Sequence, residues 1–198
     1  MPITIYGDSI SGNCLKVKWT AEYLAIPYEW IEVDVVKGEA RSDRIRALNP
    51  AAQVPTVLLE DGRALAQSNA IIVHLAEDSA LIPKDAYWRA KMWEWLFWEQ
   101  YSHEPYIAVR RFQKHYLGKP EAEIDPKLME RGRAALARME AWLGASPYLV
   151  DGALTCADIS LVAYTRFADE GGFDLGEFPA VAAWVARVEA DLGLSAGR

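Results

Sequence analysis

The chain has almost nothing with which to ligate a metal or build a disulfide framework. Its 198 residues include two cysteines, Cys14 and Cys156, and three scattered histidines, and none stand at the close spacings that metal sites use. Both thiols are expected to be buried and reduced, and no metal is expected. Cationic charge is also in short supply: 21 Lys and Arg against 28 Asp and Glu leave a formal charge of -7. Nucleic acids are held by clustered cations that release counterions, so this balance, with no basic stripe, argues against a nucleic-acid partner. No apolar run approaches the ~20 residues that cross a bilayer. Residues 1–20 lack both the basic and the apolar segment of a leader, so a cytoplasmic protein without a membrane span is the expectation.

Apolar side chains, by contrast, are plentiful. They make up 52% of the chain against 25% charged residues, enough to offset the entropy of ordering one large or two small domains. The first 80 residues alternate short extended and helical patterns: strand at 3–6, helix at 15–24, strand at 28–33, a polar helix at 42–48, strands at 56–59 and 65–67, helix at 68–77. Asp61-Gly62 between the last two strands is a hairpin signal. This β-α-β-α-β-β-α order predicts a small sheet covered by helices. Beyond a linker at 77–84 the extended patterns vanish. Helices are predicted at 87–117, 126–144, 156–168 and 179–192, giving domains at 1–78 and 85–198.

Three stretches of the first domain could carry chemistry. In Gly7-Asp8-Ser9-Ile10-Ser11-Gly12, hydroxyls stand where a strand gives way to a helix whose unpaired N–H groups and dipole favour negative charge. Ser11 also suits a plain N-cap, and the local sequence allows both uses. Gln53-Val54-Pro55 precedes the third strand, where the proline either punctuates a strand edge or forms a cis turn presenting the Val54 backbone to an extended peptide. Gln67-Ser68 opens the next helix, where a hydroxyl and unpaired N–H groups suit a carboxylate, or again a cap.

The order and spacing of these stretches resemble the cytosolic glutathione S-transferase family over nearly the whole chain. The resemblance implies an α/β thioredoxin-like N-terminal domain followed by an all-α C-terminal domain. It implies glutathione as co-substrate, an electrophilic and partly hydrophobic second substrate, and a homodimer. It places the thiol-activating hydroxyl on Ser11, with Ser9 in reserve and Tyr6 packed in its strand. Glutathione would lie on Ser11, Gln53, Val54, Pro55, Gln67 and Ser68. Many relatives carry Lys where this chain has Gln53, so Lys37 or Arg41 are candidates to help hold the glycyl carboxylate. Cys14 would convert the reaction to thiol exchange if it acted, and a glutathione-dependent isomerase or a non-catalytic interaction protein are the other readings of the scaffold. Thr155-Cys156-Ala157-Asp158 resembles the family's capping box, which makes Asp158 structural.

The second domain opens with four tryptophans between Tyr87 and Trp98. They point most ways round a helix, so not all can be core. Pro105 lacks the N–H that would bond Tyr101 and is expected to kink this helix. The kink makes Tyr101, Tyr106 and Arg110 candidates for the second-substrate pocket, with Phe167 nearby, whereas His103 is expected to be exposed.

Overall fold

The computed structural model describes residues 2–195. The chain divides into two compact units, one ending at Ile82 and the other beginning at Pro83. The outermost ends of the expected domains, residue 1 and residues 196–198, lie outside the described residues.

In the first unit, β1 (Ile3–Gly7) runs through the centre of a four-stranded sheet of order β2-β1-β3-β4. A run of Ile, Thr, Ile and Tyr suits that place, because β-branched and aromatic side chains fill a pleated surface covered on both faces. Ile3, Ile5 and Tyr6 are all buried. β2 (Tyr28–Glu32) pairs with β1 in parallel, and β3 (Thr56–Leu58) pairs with it antiparallel. β4 (Ala64–Ala66) closes the hairpin on β3. At its tip Gly62 takes φ +84°, and its N–H bonds the Leu59 carbonyl at 3.0 Å, a conformation that glycine adopts without strain. α1 (Gly12–Tyr23) packs against α3 (Ser68–Leu75). α2 (Asp43–Leu48) supplies Ile45 to a cluster with Tyr6 and Val33, on which Val54 also packs. Each such aliphatic side chain, once fully buried, contributes about 1.5–3 kcal/mol.

The second unit is helical: α4 (Ala86–Trp98), α5 (Glu104–Arg111), α6 (Pro126–Leu143), α7 (Cys156–Thr165) and α8 (Pro179–Asp191). Asp85 caps α4 by accepting from the Tyr87 and Trp88 N–H groups, and Asp125 caps α6 in front of Pro126. Every residue of α7 is buried. Its capping box is closed by Asp158, which accepts from the Thr155 N–H and hydroxyl at 2.9 Å each. The same carboxylate takes the Leu149 N–H at 3.0 Å and the Trp184 indole N–H at 2.9 Å. Burial pushes its pKa up to about 6, against the pull of those bonds.

The single kinked helix expected at 87–117 is interrupted twice. The Glu104 N–H bonds the Glu99 carbonyl and the Leu117 N–H bonds that of Phe112, five residues back in both cases, so π-helical turns occupy Glu99–His103 and Phe112–Tyr116. Pro105 sits in the first turn of α5, and the π turn before it takes up the mismatch created by its missing donor. This geometry turns His103 inward, contrary to the exposed position expected for it. It is fully buried, with Nε2 2.9 Å from the Thr165 hydroxyl oxygen. That hydroxyl donates to the Leu161 carbonyl, so Nε2 is the protonated nitrogen.

Candidate active site

The site begins where β1 ends. Ladder register sets Gly7 beside Glu32, the last residue of β2. Glu32 reaches across the loop: Oε1 accepts the Ser9 N–H at 2.8 Å and its hydroxyl at 3.0 Å, and Oε2 accepts the Trp30 indole N–H at 2.6 Å. Partial burial opposes ionisation of Glu32, but these three bonds together outweigh it and hold the carboxyl below its ordinary range. Ser9 is thereby engaged away from the helix end. Asp8, buried, pins the loop from the other side by accepting the Ile10 N–H at 2.9 Å and the Val35 N–H at 2.7 Å.

Ser11 is the N-cap residue of α1, with φ −81° and ψ 118°. Its carbonyl accepts the Cys14 and Leu15 N–H groups, but its side chain makes no capping bond. The hydroxyl is half-buried and pulls the Cys14 thiol toward ionisation, though less than burial pushes it the other way. Cys14 is fully buried, and desolvation pushes its thiol up to about 12 despite bonds from the Asp8 backbone and Ser11. A cysteine so placed is a small apolar filler, not a nucleophile. Tyr6 packs in the core cluster, with the Arg44 guanidinium 4.9 Å from its ring centre.

The segment before β3 is shaped by Asn49, whose amide donates to the Gln53 carbonyl at 2.9 Å and whose side-chain oxygen takes the Ala51 N–H at 3.1 Å. The Val54–Pro55 peptide is cis. Val54 turns its side chain to the core cluster and stands just beyond the β1–β3 ladder, while the Gln53 side chain is exposed. Lys37 pairs with Asp34 at 2.8 Å, and Arg41 is exposed.

At the head of α3, Gln67 is exposed and takes φ +71°, a left-handed conformation that a residue with a Cβ rarely adopts. Ser68 is buried, and its hydroxyl donates to Asn13 Oδ1 at 3.1 Å. The Lys16 ammonium, also buried, donates to the same oxygen at 2.8 Å. The hydroxyl that sequence offered to a ligand is therefore engaged within the protein, and what the helix end offers a carboxylate is its backbone N–H groups. Asn13 and Lys16 were missed by the sequence reading, although their spacing of three on one helix was a signal. Asp8 and Glu32 gave none, since their partners are distant in sequence.

In the helical unit, Tyr101 and Tyr106 line one groove together with Trp98, Ser102, Lys127, Arg131, Ala134, Ala135 and Arg138. Arg110 does not join them. It is 1% exposed, its Nε donates to the Gly171 carbonyl at 2.8 Å, and it pairs with Glu121. One turn beyond Tyr106 the neighbour of α5 is the Ala168–Gly171 turn, and that turn claims the guanidinium. Phe167 is likewise elsewhere, flanked by the guanidinium groups of Arg111 and Arg166 at 4.4 and 4.9 Å. Among the described residues no group of three or more His, Cys, Asp or Glu is placed to hold a metal, and no helix is long and apolar enough to cross a membrane.

A four-stranded mixed sheet of thioredoxin type, with the N-termini of α1 and α3 joined at Asn13, followed by an all-helical unit, defines the two-domain glutathione transferase class. Residues 10–78 match the family described as Glutathione S-transferase, N-terminal domain, and residues 95–191 match Glutathione S-transferase, C-terminal domain. Glutathione S-transferase theta-2 of Homo sapiens is 28% identical over 98% of this chain and 83% of its own. Glutathione S-transferase 3 of Zea mays is 30% identical over 79% of this chain and 74% of its own. A crystal structure of a glutathione S-transferase from Pseudomonas fluorescens superposes with a TM-score of 0.93 at 45% identity, covering 96% of both chains. The chain belongs to the glutathione S-transferase family and is a glutathione transferase.

Proposed function

We propose that the enzyme joins the glutathione thiolate to an electrophilic, partly hydrophobic small molecule, with the Ser11 hydroxyl donating to the sulfur. The observation that carries this reading is the position of Ser11: it occupies the N-cap of α1, yet its half-buried hydroxyl makes no capping bond. A ligand sulfur there would meet both a donor and the positive end of a helix dipole. Lowering a thiol pKa from about 8.5 by about two units needs roughly 2.7 kcal/mol of preferential stabilisation of the anion. The thiol proton leaves to solvent, the sulfur pair forms the new C–S bond, and the leaving group departs with its own electron pair. Holding both reactants close supplies much of the rate.

The remaining glutathione contacts are proposed on position. The Val54 backbone beside Pro55 pairs with the cysteinyl unit, Gln67 and the N–H groups at Ser68 receive the γ-glutamyl carboxylate, and Gln53 meets the glycyl end. Tyr101 and Tyr106 are proposed to contact the second substrate. The same reading takes the enzyme to be a cytoplasmic homodimer.

The test is Ser11→Ala, with the bound thiol titrated by its thiolate absorbance and turnover followed with an aryl halide. The bound thiol should move back toward its free value, and kcat should fall by about 10²-fold, the usual effect of removing one donor to a developing or bound anion. If neither changes, Ser11 is not the donor. A wild-type chain that neither binds immobilised glutathione nor turns over any aryl halide would favour a non-catalytic interaction protein.

A further inference from the structure

Lys16 stands where folded chains rarely place a lysine. It is 0% exposed, on the face of α1 that also buries Cys14, Val17 and Thr20. Full burial strips an ammonium of its hydration, and replacing a buried charge by an apolar side chain of similar volume is often neutral or stabilising. Direction adds a second cost. Helical side chains lean toward their own N-terminus, and Nζ reaches back one turn to Asn13 Oδ1 at 2.8 Å. That end of α1 is the positive end of its dipole, where cations are disfavoured. Burial and the dipole both count against Lys16, and the explanation lies in what it does to Asn13.

An ammonium has three N–H donors and no lone pair, so the Asn13 atom facing it must be the carboxamide oxygen. The Ser68 hydroxyl, 3.1 Å from the same oxygen, sets no such condition, since a hydroxyl can donate to Oδ1 or accept from Nδ2. Of the two, only Lys16 dictates the orientation. With the oxygen held between Lys16 and Ser68, the Asn13 N–H₂ group points away from both, in the first turn of α1 and two residues beyond Ser11. Turned the other way, the carboxamide would present lone pairs on that side. The carboxylates near this helix end have the wrong sign for a bound anion: Asp8 and Glu32 both raise the pKa of the Cys14 thiol through their charge. Lys18, the other cation of α1, is paired with Glu22.

We propose that Lys16 is a positioning residue for the glutathione sulfur: it locks the Asn13 carboxamide with its oxygen toward α3, so that this side chain turns N–H groups and not lone pairs toward the bound anion. The inference rests on the glutathione site proposed above and adds to it the residue that sets the polarity of the α1 end. Without the ammonium, the carboxamide is free to turn over, and a bound thiolate meets a donor in one orientation and an acceptor in the other.

Lys16→Met, which keeps the side-chain volume and removes the donors, tests this in the full chain, with the urea midpoint measured to show that the variant is folded. The thiolate absorbance of bound glutathione should titrate with a pKa about 1 higher than in wild type, the scale of one hydrogen bond to a charged group. Glutathione binding at pH 8 should weaken about tenfold, whereas S-methylglutathione, whose sulfur cannot ionise, should change by less than about twofold. Equal weakening of the two ligands, or an unchanged thiol pKa, makes Lys16 merely structural and overturns the inference. Should Lys16→Met not fold, Lys16→Arg and Lys16→Gln make the same comparison: the donor-only arginine should keep the wild-type thiol pKa, and glutamine, which can also accept, should raise it. The same pKa in both overturns the inference. Ser11→Ala measured alongside separates this inference from the reading it rests on. A raised pKa in Ser11→Ala but not in Lys16→Met leaves the serine mechanism and removes Lys16; the reverse keeps Lys16 and removes Ser11 as the donor. No thiolate absorbance in the wild-type complex overturns both.

Discussion

The Ser68 hydroxyl donates to Asn13 Oδ1 at 3.1 Å, joining the first turn of α3 to the first turn of α1 across fifty-five residues of sequence. Lys16 donates to the same oxygen, so one asparagine fixes two helix ends that the proposed mechanism needs at two points of one tripeptide, the cysteinyl sulfur and the γ-glutamyl carboxylate. Asn13→Ala and Ser68→Ala should therefore be coupled. A double-mutant cycle read by denaturant unfolding should return about 0.5–1.5 kcal/mol of interaction, and both single variants should bind glutathione more weakly. Strict additivity would show that the two helix ends are positioned by packing alone.

Gly7 is the hinge between the sheet and the serine loop. A Cβ there would lie 2.5 Å from Trp30 Cη2, so the indole would have to move. That indole is bonded to Glu32, and Glu32 holds Ser9. Gly7→Ala is expected to lower stability by about 1–3 kcal/mol, as overpacking does, and to lower kcat/KM for conjugation as the loop shifts. Unfolding midpoints and turnover measured on the same preparation check both halves.

Cys14 should be chemically silent. With its thiol pushed up to about 12 by burial, the thiolate fraction at neutral pH is on the order of 10⁻⁵. Cys156 is also raised to about 12, by burial and by the neighbouring Asp158. Iodoacetamide followed by mass spectrometry should label neither cysteine in the native chain and both in urea. Cys14→Ala should keep its conjugating activity. Rapid labelling of Cys14, or a stable mixed disulfide with glutathione, would revive the thiol-exchange reading.

Asp158 gives a pH dependence with a definite sign. Its carboxyl is raised from 3.8 to about 6, so the folded chain binds this proton more tightly than the unfolded chain does. The stability it contributes is complete below pH 3.8 and is lost as pH rises through about 6. Asp158→Asn places an N–H₂ group among donors and should destabilise the fold by about 2–4 kcal/mol, the scale for breaking a buried network. The gap in unfolding free energy between wild type and variant should shrink from pH 4 to pH 7. A constant or widening gap would show that the carboxylate is already ionised at low pH.

The sequence alone was enough wherever a feature is closed by bonds between near neighbours. The hairpin at Asp61-Gly62, the capping box at Thr155 and Asp158, the order of strands and helices in the first unit and the break in pattern near Pro83 all depend on backbone preferences and contacts spanning a few residues. Those preferences act on any chain carrying the same local residues. A lone proline also marks where a helix must adjust, and Pro105 did so.

Tertiary structure decided everything that depends on which element lies alongside. His103 read as an exposed helical residue and Arg110 as a lining residue of the second-substrate pocket until Thr165 and Gly171 were found beside them. Ser68 read as a ligand donor until Asn13 took its hydrogen. Lys127 and Arg131 stand on α6 and Tyr101 in the π turn before α5, and only the packing of those two segments makes a cationic, aromatic-walled groove of them. The physical reason is that a polar side chain is assigned by whichever partner reaches it at hydrogen-bond distance, and a periodic pattern fixes the face a residue occupies but not the neighbour that the face will meet.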